Sequence, residues 1–359
     1  MRINWLKKIY NKDQHDAFTD LNRVDNQLLV CFRRATDHHS SDGRIVLQKL
    51  NLQGRFISQS IFNILNSDLR DPKIYVLHDK SLIMTAYARE TVRDADGNER
   101  TISQNTYWRG THSNCADSIN WQHQGFFAEP FHWCWRLSWH EQHVYSLAYE
   151  RRTENLYLYH GANLSVFTAF ERPVLSKVEH GFGYPNESDL CFTNKSSHVQ
   201  ATAIVRRDAD TFTTKLGKSV TPFEKWHWQD LPIYLASPRI LAINNDEFII
   251  AARYEHGALT QPSPLQKQAL DYYASGNERL DYFDDELKTG LFALDRETEK
   301  LSFLLALPSA DDNGYPGVVL DDASPNGTLG LWISYYSTPE KGKTQVYVAY
   351  VDNLQRTLV

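Results

Sequence analysis

The chain has 359 residues with 38 basic and 44 acidic side chains and a net charge of −6, a mild acidity that excludes the basic face of a nucleic-acid binder. Mean hydropathy is −0.51 and no run of about 18 apolar residues occurs, which excludes a membrane-spanning helix. Apolar residues at 42% and aromatics at 13% exclude a disordered or collagen-like chain.

In chain order, Met1–Tyr10 is interrupted by Asn4, Lys7 and Lys8 and has no small-residue cleavage site. No signal peptide is read there, and the expected address is cytoplasmic. Short β-rich runs then recur: Gln27–Phe32, Arg44–Leu50, Ile74–Leu77, Ser81–Tyr87, Val144–Tyr149, Leu156–Tyr159, Ala201–Val205, Phe248–Ala252, Gly290–Leu294, Leu301–Leu305, Leu329–Tyr335 and Gln345–Val351. Each is about 4–8 residues long and bounded by Gly, Asn, Asp or Pro, as antiparallel strands are. No strand–long-helix alternation appears, which argues against a doubly wound α/β fold. His256–Lys288 breaks the pattern: it is polar and helix-compatible, and reads as a helical insertion between strands. Cys31, Cys115, Cys134 and Cys191 form no Cys-x-x-Cys pair and read as buried thiols.

Three segments share the form strand, turn, aromatic: Ile45–Phe56, Asn155–Phe167 and Gly290–Phe303. A β-unit repeating every 40–60 residues or so points to one β-propeller domain over residues 1–359, with a two-sheet sandwich as the alternative.

Several strings carry chemistry. Phe32-Arg33-Arg34 ends an early strand, and Asp68-Leu69-Arg70-Asp71-Pro72 precedes the next. Asn186-Glu187 starts a strand that leads to Ala203-Ile204-Val205-Arg206-Arg207-Asp208. Ala252-Arg253 ends another, and Gly314-Tyr315-Pro316-Gly317 is followed by Ser334-Tyr335-Tyr336-Ser337. This ordered series, over roughly residues 25–353, resembles the sialidase (neuraminidase) superfamily, in particular a bacterial exo-α-sialidase-like branch.

The resemblance implies an all-β, six-bladed propeller and a retaining exo-glycoside hydrolase that removes a terminal carboxylate-bearing sugar such as sialic acid. Arg33, Arg206 and Arg253 would grip the carboxylate, Asp71 would be the acid/base, Tyr315 the nucleophile and Glu187 its base. The inventory is chemically coherent. Guanidiniums bind a carboxylate in bidentate fashion. A phenol, with a pKa near 10, needs an adjacent base to attack. A neutral nucleophile also avoids repulsion from the sugar's own carboxylate. Arg70, His38 and Arg136 are further candidates for substrate contact. The reaction calls for no cofactor and no metal. The expected partner is an oligosaccharide or glycoconjugate with an acidic terminal sugar, with no nucleic-acid or membrane partner.

The chain departs from the family pattern in several places. The early Phe-Arg-Ile-Pro reads Phe32-Arg33-Arg34-Ala35, the Asp-box repeats are eroded to strings such as His160-Gly161-Ala162-Asn163, and an expected Gly-Gly-Pro reads Ala236-Ser237-Pro238-Arg239. Arg34, Arg207 and Asp68 remain open as register alternatives, since strand neighbours face opposite ways. Phe131–His140, read as one strand, puts Phe131, Trp133, Trp135, Leu137 and Trp139 on one face and Arg136 on the other. His140-Glu141-Gln142-His143 falls one residue short of a zincin motif. Uronide hydrolysis or elimination, and glycan binding without catalysis, are the competing functions.

Overall fold

The computed structural model describes residues 1–9, 14–93, 96–112, 118–181, 183–195, 198–208, 211–263, 265–268, 271, 287–321, 329–340 and 343–354. Among them no helix is long and apolar enough to cross a membrane. The described chain is nearly all β. Its strands, rich in β-branched and aromatic residues and separated by tight turns, pair as antiparallel neighbours into six sheets, the blades of a six-bladed β-propeller. The sequence expectation of that fold class holds.

The chain divides into two compact units. One holds Met1–Phe131 and the strands from Pro316 onward. Its first sheet is His15–Val24, Gln27–Ala35, Arg44–Asn51 and Phe56–Phe62, and its second is Ser67–Val76, Leu82–Arg93, Glu99–His112 and Ile119–Phe127. Their facing sides bury Leu29, Cys31, Ile45, Leu47, Leu69, Ile74, Met84 and Trp108. The sixth sheet starts with Asn313–Asp321 and continues through Leu329–Glu340 and Lys343–Leu354. It is completed by Arg2–Lys8, the first strand of the chain, paired antiparallel to the last.

The other unit spans His132–Tyr315. In its third sheet, His132–Cys134 and Ser138–His140 both pair with His143–Glu150, which pairs with Asn155–Gly161. The fourth sheet is Tyr184–Lys195, His198–Asp208, Thr213–Val220 and Trp226–Leu231, and the fifth is Leu235–Ala242, Glu247–Glu255, Leu287–Asp295 and Leu301–Ala306. Among its described residues, one core gathers around Trp135, Leu147, Leu158, Leu190 and Val205, another around Ile204, Leu235, Ile250 and Phe292, and a smaller one around Phe212, Tyr234 and Leu265.

The three repeated segments are third-strand-to-corner units. In each, an Asn or Asp accepts from backbone N–H groups just ahead: Asn51 from Gln53 and Arg55, Asn163 from Ser165, and Asp295 from Thr298. Side-chain oxygens that mimic a backbone turn account for the repeated polar residue.

A second device recurs in the first strand of a sheet. The register slips between Ala17 and Asp20, Arg70 and Lys73, Pro185 and Ser188, and Ala236 and Arg239. Phe18, Asp71 and Ser237 sit in these bulges, and Tyr315 at the matching place in Asn313–Asp321, with φ of 57°, 50°, 45° and 52°. Non-glycine residues there cost on the order of 1 kcal/mol each, and such strain collects at working sites. Just past two bulges, an aspartate latches the next sheet: Asp20 accepts from the Ile74 N–H at 3.0 Å and Asp189 from the Ile240 N–H at 2.9 Å.

Two sequence readings are corrected. Asp68–Asp71 lie within the strand Ser67–Val76 rather than before it. Phe131–His140 is not one strand: it breaks at residues 135–137, where Trp135, Arg136 and Leu137 are all buried at 2–3% exposure, so the expected alternation of faces fails. Of the helical insertion, a 3-10 turn at Gly257–Leu259 and helical residues at 265–268 are seen; 264, 269–270 and 272–286 lie outside the described residues. The entry to that segment is pinned, since buried Glu255 accepts from the Ser263 hydroxyl and from the Leu265 N–H. Cys31 and Cys134 are buried and Cys191 is half-buried, all as free thiols; Cys115 lies outside the described residues.

Candidate active site

In the His132–Tyr315 unit the fourth and fifth sheets and the start of Asn313–Asp321 bring a phenol, a carboxylate and guanidiniums together. Tyr315 Oη donates to Glu187 Oε1 at 2.7 Å. The other carboxylate oxygen, Oε2, lies 2.7 Å from Arg206 Nη1 and accepts the Ser237 N–H at 2.7 Å. Arg206 is gripped from its far side by Asp208, with Nε donating to Oδ1 at 3.0 Å and Nη2 2.7 Å from Oδ2. Asn186 also donates to Asp208 Oδ1, at 2.9 Å. Arg253 Nη1 donates to the Asn313 carbonyl at 3.2 Å, and its charge acts on Glu187. The Tyr315 ring meets Trp135 edge-on, with centroids 5.2 Å apart. Gly314, at φ +122°, leaves room for this approach: a Cβ there would lie 3.1 Å from Ser237 Oγ.

Local structure explains the cluster. Arg206 and Asp208 are two apart on one strand and so share a face, while Arg207 points the other way to Asp230, at 2.5 Å. The bulge between Pro185 and Ser188 turns Glu187 toward that face. Burial pushes the Glu187 carboxyl up, but the charges of Arg206 and Arg253 and the hydrogen bonds from Arg206 and Tyr315 outweigh it, leaving it below the ordinary value. Burial holds Asp208 above its ordinary value: Arg206 opposes the shift and the Glu187 charge adds to it. At neutral pH Glu187 is therefore an anion placed to accept the phenol proton.

The Met1–Phe131 unit carries its own charged group. Asp68 Oδ1 accepts from Arg33 Nε and its Oδ2 from Arg70 Nε, both at 2.8 Å. Arg33 is fully covered, and its two other nitrogens donate to the carbonyls of Asp37 at 3.0 Å and Ser40 at 2.7 Å. Arg70 donates to the carbonyl of His38, whose ring sits edge-on to Phe18 with centroids 5.2 Å apart. Direct contact of Arg33 with a ligand thus requires the segment Thr36–Asp42 to open. Arg34 turns away to Asp16, at 2.8 and 2.7 Å. Asp71 is buried in its bulge, 6% exposed, and Lys73 Nζ lies 3.2 Å from its carbonyl.

The structure therefore joins Glu187, Arg206, Arg253 and Tyr315 in one unit, and Arg33, Arg70 and His38 in the other. Arg136, expected to point into a cleft, is 3% exposed. Sequence reasoning did not assign Asp208, Ser237 or Trp135. For Asp208 a signal existed in the Arg-x-Asp spacing; Ser237 and Trp135 reach Tyr315 from other sheets, which no local pattern encodes.

The six sheets make the described chain a six-bladed β-propeller. No family model matches the chain, and no curated protein matches it in sequence. Among solved structures it is similar to a protein of unknown function from Dyadobacter fermentans DSM 18053, with a TM-score of 0.69, 14% identity, and coverage of 97% of this chain and 98% of that one. It is also similar to the NanB sialidase of Streptococcus pneumoniae, at TM-score 0.56 and 9% identity over 98% and 70% of the two chains. A third is the Trypanosoma rangeli sialidase in complex with sialic acid, at TM-score 0.53 and 8% identity; 97% of this chain matches just 57% of that one. Identities this low establish a shared fold.

Proposed function

We propose that the protein is a retaining exo-glycoside hydrolase acting on a terminal carboxylate-bearing sugar of the sialic acid type. The observation that carries this reading is the 2.7 Å hydrogen bond from the Tyr315 phenol to a Glu187 carboxylate held by Arg206. In the proposed reaction the sugar carboxylate is bound by Arg206 and Arg253, and the sequence resemblance gives Arg33 the same role. Tyr315 Oη attacks the anomeric carbon and passes its proton to Glu187. A carboxylate below the usual pKa range is a weak base, so the proton moves as the C–O bond forms and the phenol becomes acidic. Asp71, in the role the sequence resemblance gives it, donates a proton to the leaving oxygen, then takes one from the water that displaces the tyrosine oxygen from the anomeric carbon, while Glu187 returns its proton to the phenol.

The test is a panel of fluorogenic sialosides and uronides. Wild type is expected to turn over a sialoside, with loss of about 10³-fold or more in Tyr315→Phe and Glu187→Gln variants that keep the far-ultraviolet spectrum of the parent. Asp71→Asn should lose rate chiefly on substrates with poor leaving groups. Near-normal turnover by Tyr315→Phe would discard the mechanism, and a product absorbing as a new C4–C5 double bond would replace hydrolysis with elimination.

A further inference from the structure

A cavity of about 650 Å³ opens in the Met1–Phe131 unit, between the chain's first strand Arg2–Lys8 and the outer strands of the first sheet. Lys7, Lys8, Arg34, Gln48, Gln59 and Phe56 contribute to its walls, and no carboxylate lies among the described lining residues. Arg34 is neutralised by its fork on Asp16. Lys7 Nζ donates to the Gln53 carbonyl and lies 5.7 Å from the Trp5 ring centroid, while Lys8 is exposed. Neither lysine has a carboxylate partner among the described residues, so in a chain of net charge −6 the described lining of this cavity presents two ammonium groups without a carboxylate.

Gln48 adds a second, independent observation. It is 6% exposed, yet its carboxamide makes no hydrogen bond among the described residues, and it lines the cavity. Buried amides are nearly always paired, and one left facing a polar cavity is built to meet a ligand's donor and acceptor. Its direct cross-strand partner is Gln59, so two carboxamides stand side by side. Beside them Phe56 is 61% exposed, an apolar ring available to the C–H face of a sugar. Lysine ammonium groups, paired carboxamides and an exposed aromatic ring match a polyhydroxylated ring that bears a negative charge, and the volume suits one or two such rings.

We propose that this cavity is a binding site for an acidic oligosaccharide, separate from the Tyr315–Glu187 group and independent of the reaction assigned to it. The experiment is calorimetric titration of the full chain with trigalacturonate, with maltotriose as the neutral comparison and inorganic phosphate as the simple anion. Trigalacturonate should bind, weaken as salt is raised, and lose about tenfold or more in affinity in Lys8→Gln and in Gln48→Leu. Maltotriose and phosphate should bind far less. Lys8 is exposed, so its variant tests the site even if Gln48→Leu misfolds. Tyr315→Phe should bind trigalacturonate as wild type does whatever the sialoside panel returns, which keeps the two ideas separable. No binding of trigalacturonate, affinity unmoved by Lys8→Gln, equal binding of maltotriose, or full competition by phosphate would each overturn the proposal.

Discussion

Ser237 holds a backbone φ of +45° that glycine would adopt without strain. Its side chain supplies the reason for a serine there: the hydroxyl accepts the Tyr315 N–H at 3.1 Å while the Ser237 N–H reaches Glu187 at 2.7 Å. One residue thus fixes both members of the phenol–carboxylate pair. Ser237→Gly keeps the N–H and relieves strain but loses the hydroxyl. Stability by urea unfolding should hold or rise by up to about 1 kcal/mol, while kcat on the sialoside falls about tenfold through looser placement of Tyr315. A parallel fall in stability and rate would mean a merely structural serine. At this scale the sequence was legible in part. The residues Glu187, Arg206, Arg253 and Tyr315 could be named from their order, but Arg33 against Arg34 and Arg206 against Arg207 could not be chosen, because strand neighbours face opposite ways and upstream bulges reset the phase. Ser237 looked like a departure from a glycine pattern, since the partner of its hydroxyl lies 78 positions away.

The sheets are joined by side chains as well as by apolar packing, and Asp189 is the clearest case. Its Oδ2 accepts from the Ile240 N–H at 2.9 Å and lies 3.0 Å from Arg239 Nη1, with its own side chain fully covered. Arg239 is therefore a clamp between the fourth and fifth sheets of its unit. Removing Asp189 strands the buried Ile240 N–H and unpairs the partly exposed Arg239, so Asp189→Ala should cost about 1–3 kcal/mol in urea unfolding. Exposed pairs such as Arg93–Glu99, both more than half exposed, should cost less than about 1 kcal/mol when broken. Elements with their own turn chemistry were legible: the three repeated segments became strand-and-corner units because the Asx turn lies within a few residues of its strand. Phe131–His140 misled because its apolar–polar alternation mimics a single strand, whereas Arg136, expected on the face opposite Trp135 and Leu137, is buried with them at a break that sequence periodicity cannot mark.

At the scale of the whole molecule, a β-propeller followed from the short strand runs, their spacing and the lack of long helices, whereas the number six came from the resemblance to sialidases. How the sixth sheet is closed did not follow. Met1–Tyr10 is not among the strand runs of the sequence, yet Arg2–Lys8 pairs with Lys343–Leu354 in the register Ile3 to Val351 and Leu6 to Ala349. Trp5 stacks on Tyr350 with ring centroids 6.3 Å apart. A pairing across some 340 residues leaves no local trace, because each strand carries only half of the pattern. The consequence is testable. Deleting residues 1–8 removes a row of ladder bonds and the cover over Tyr350, and leaves the edge of Lys343–Leu354 open to other chains. The truncated protein should lose a few kcal/mol of stability and self-associate as concentration rises, seen by analytical ultracentrifugation. Arg2→Ala, which breaks just the exposed ion pair to Asp352 at 2.9 Å, should change stability by less than about 1 kcal/mol and leave the protein's association state as in wild type. If the truncated chain matched wild type in both measurements, the first strand would be an ornament of the sixth sheet rather than its closing edge.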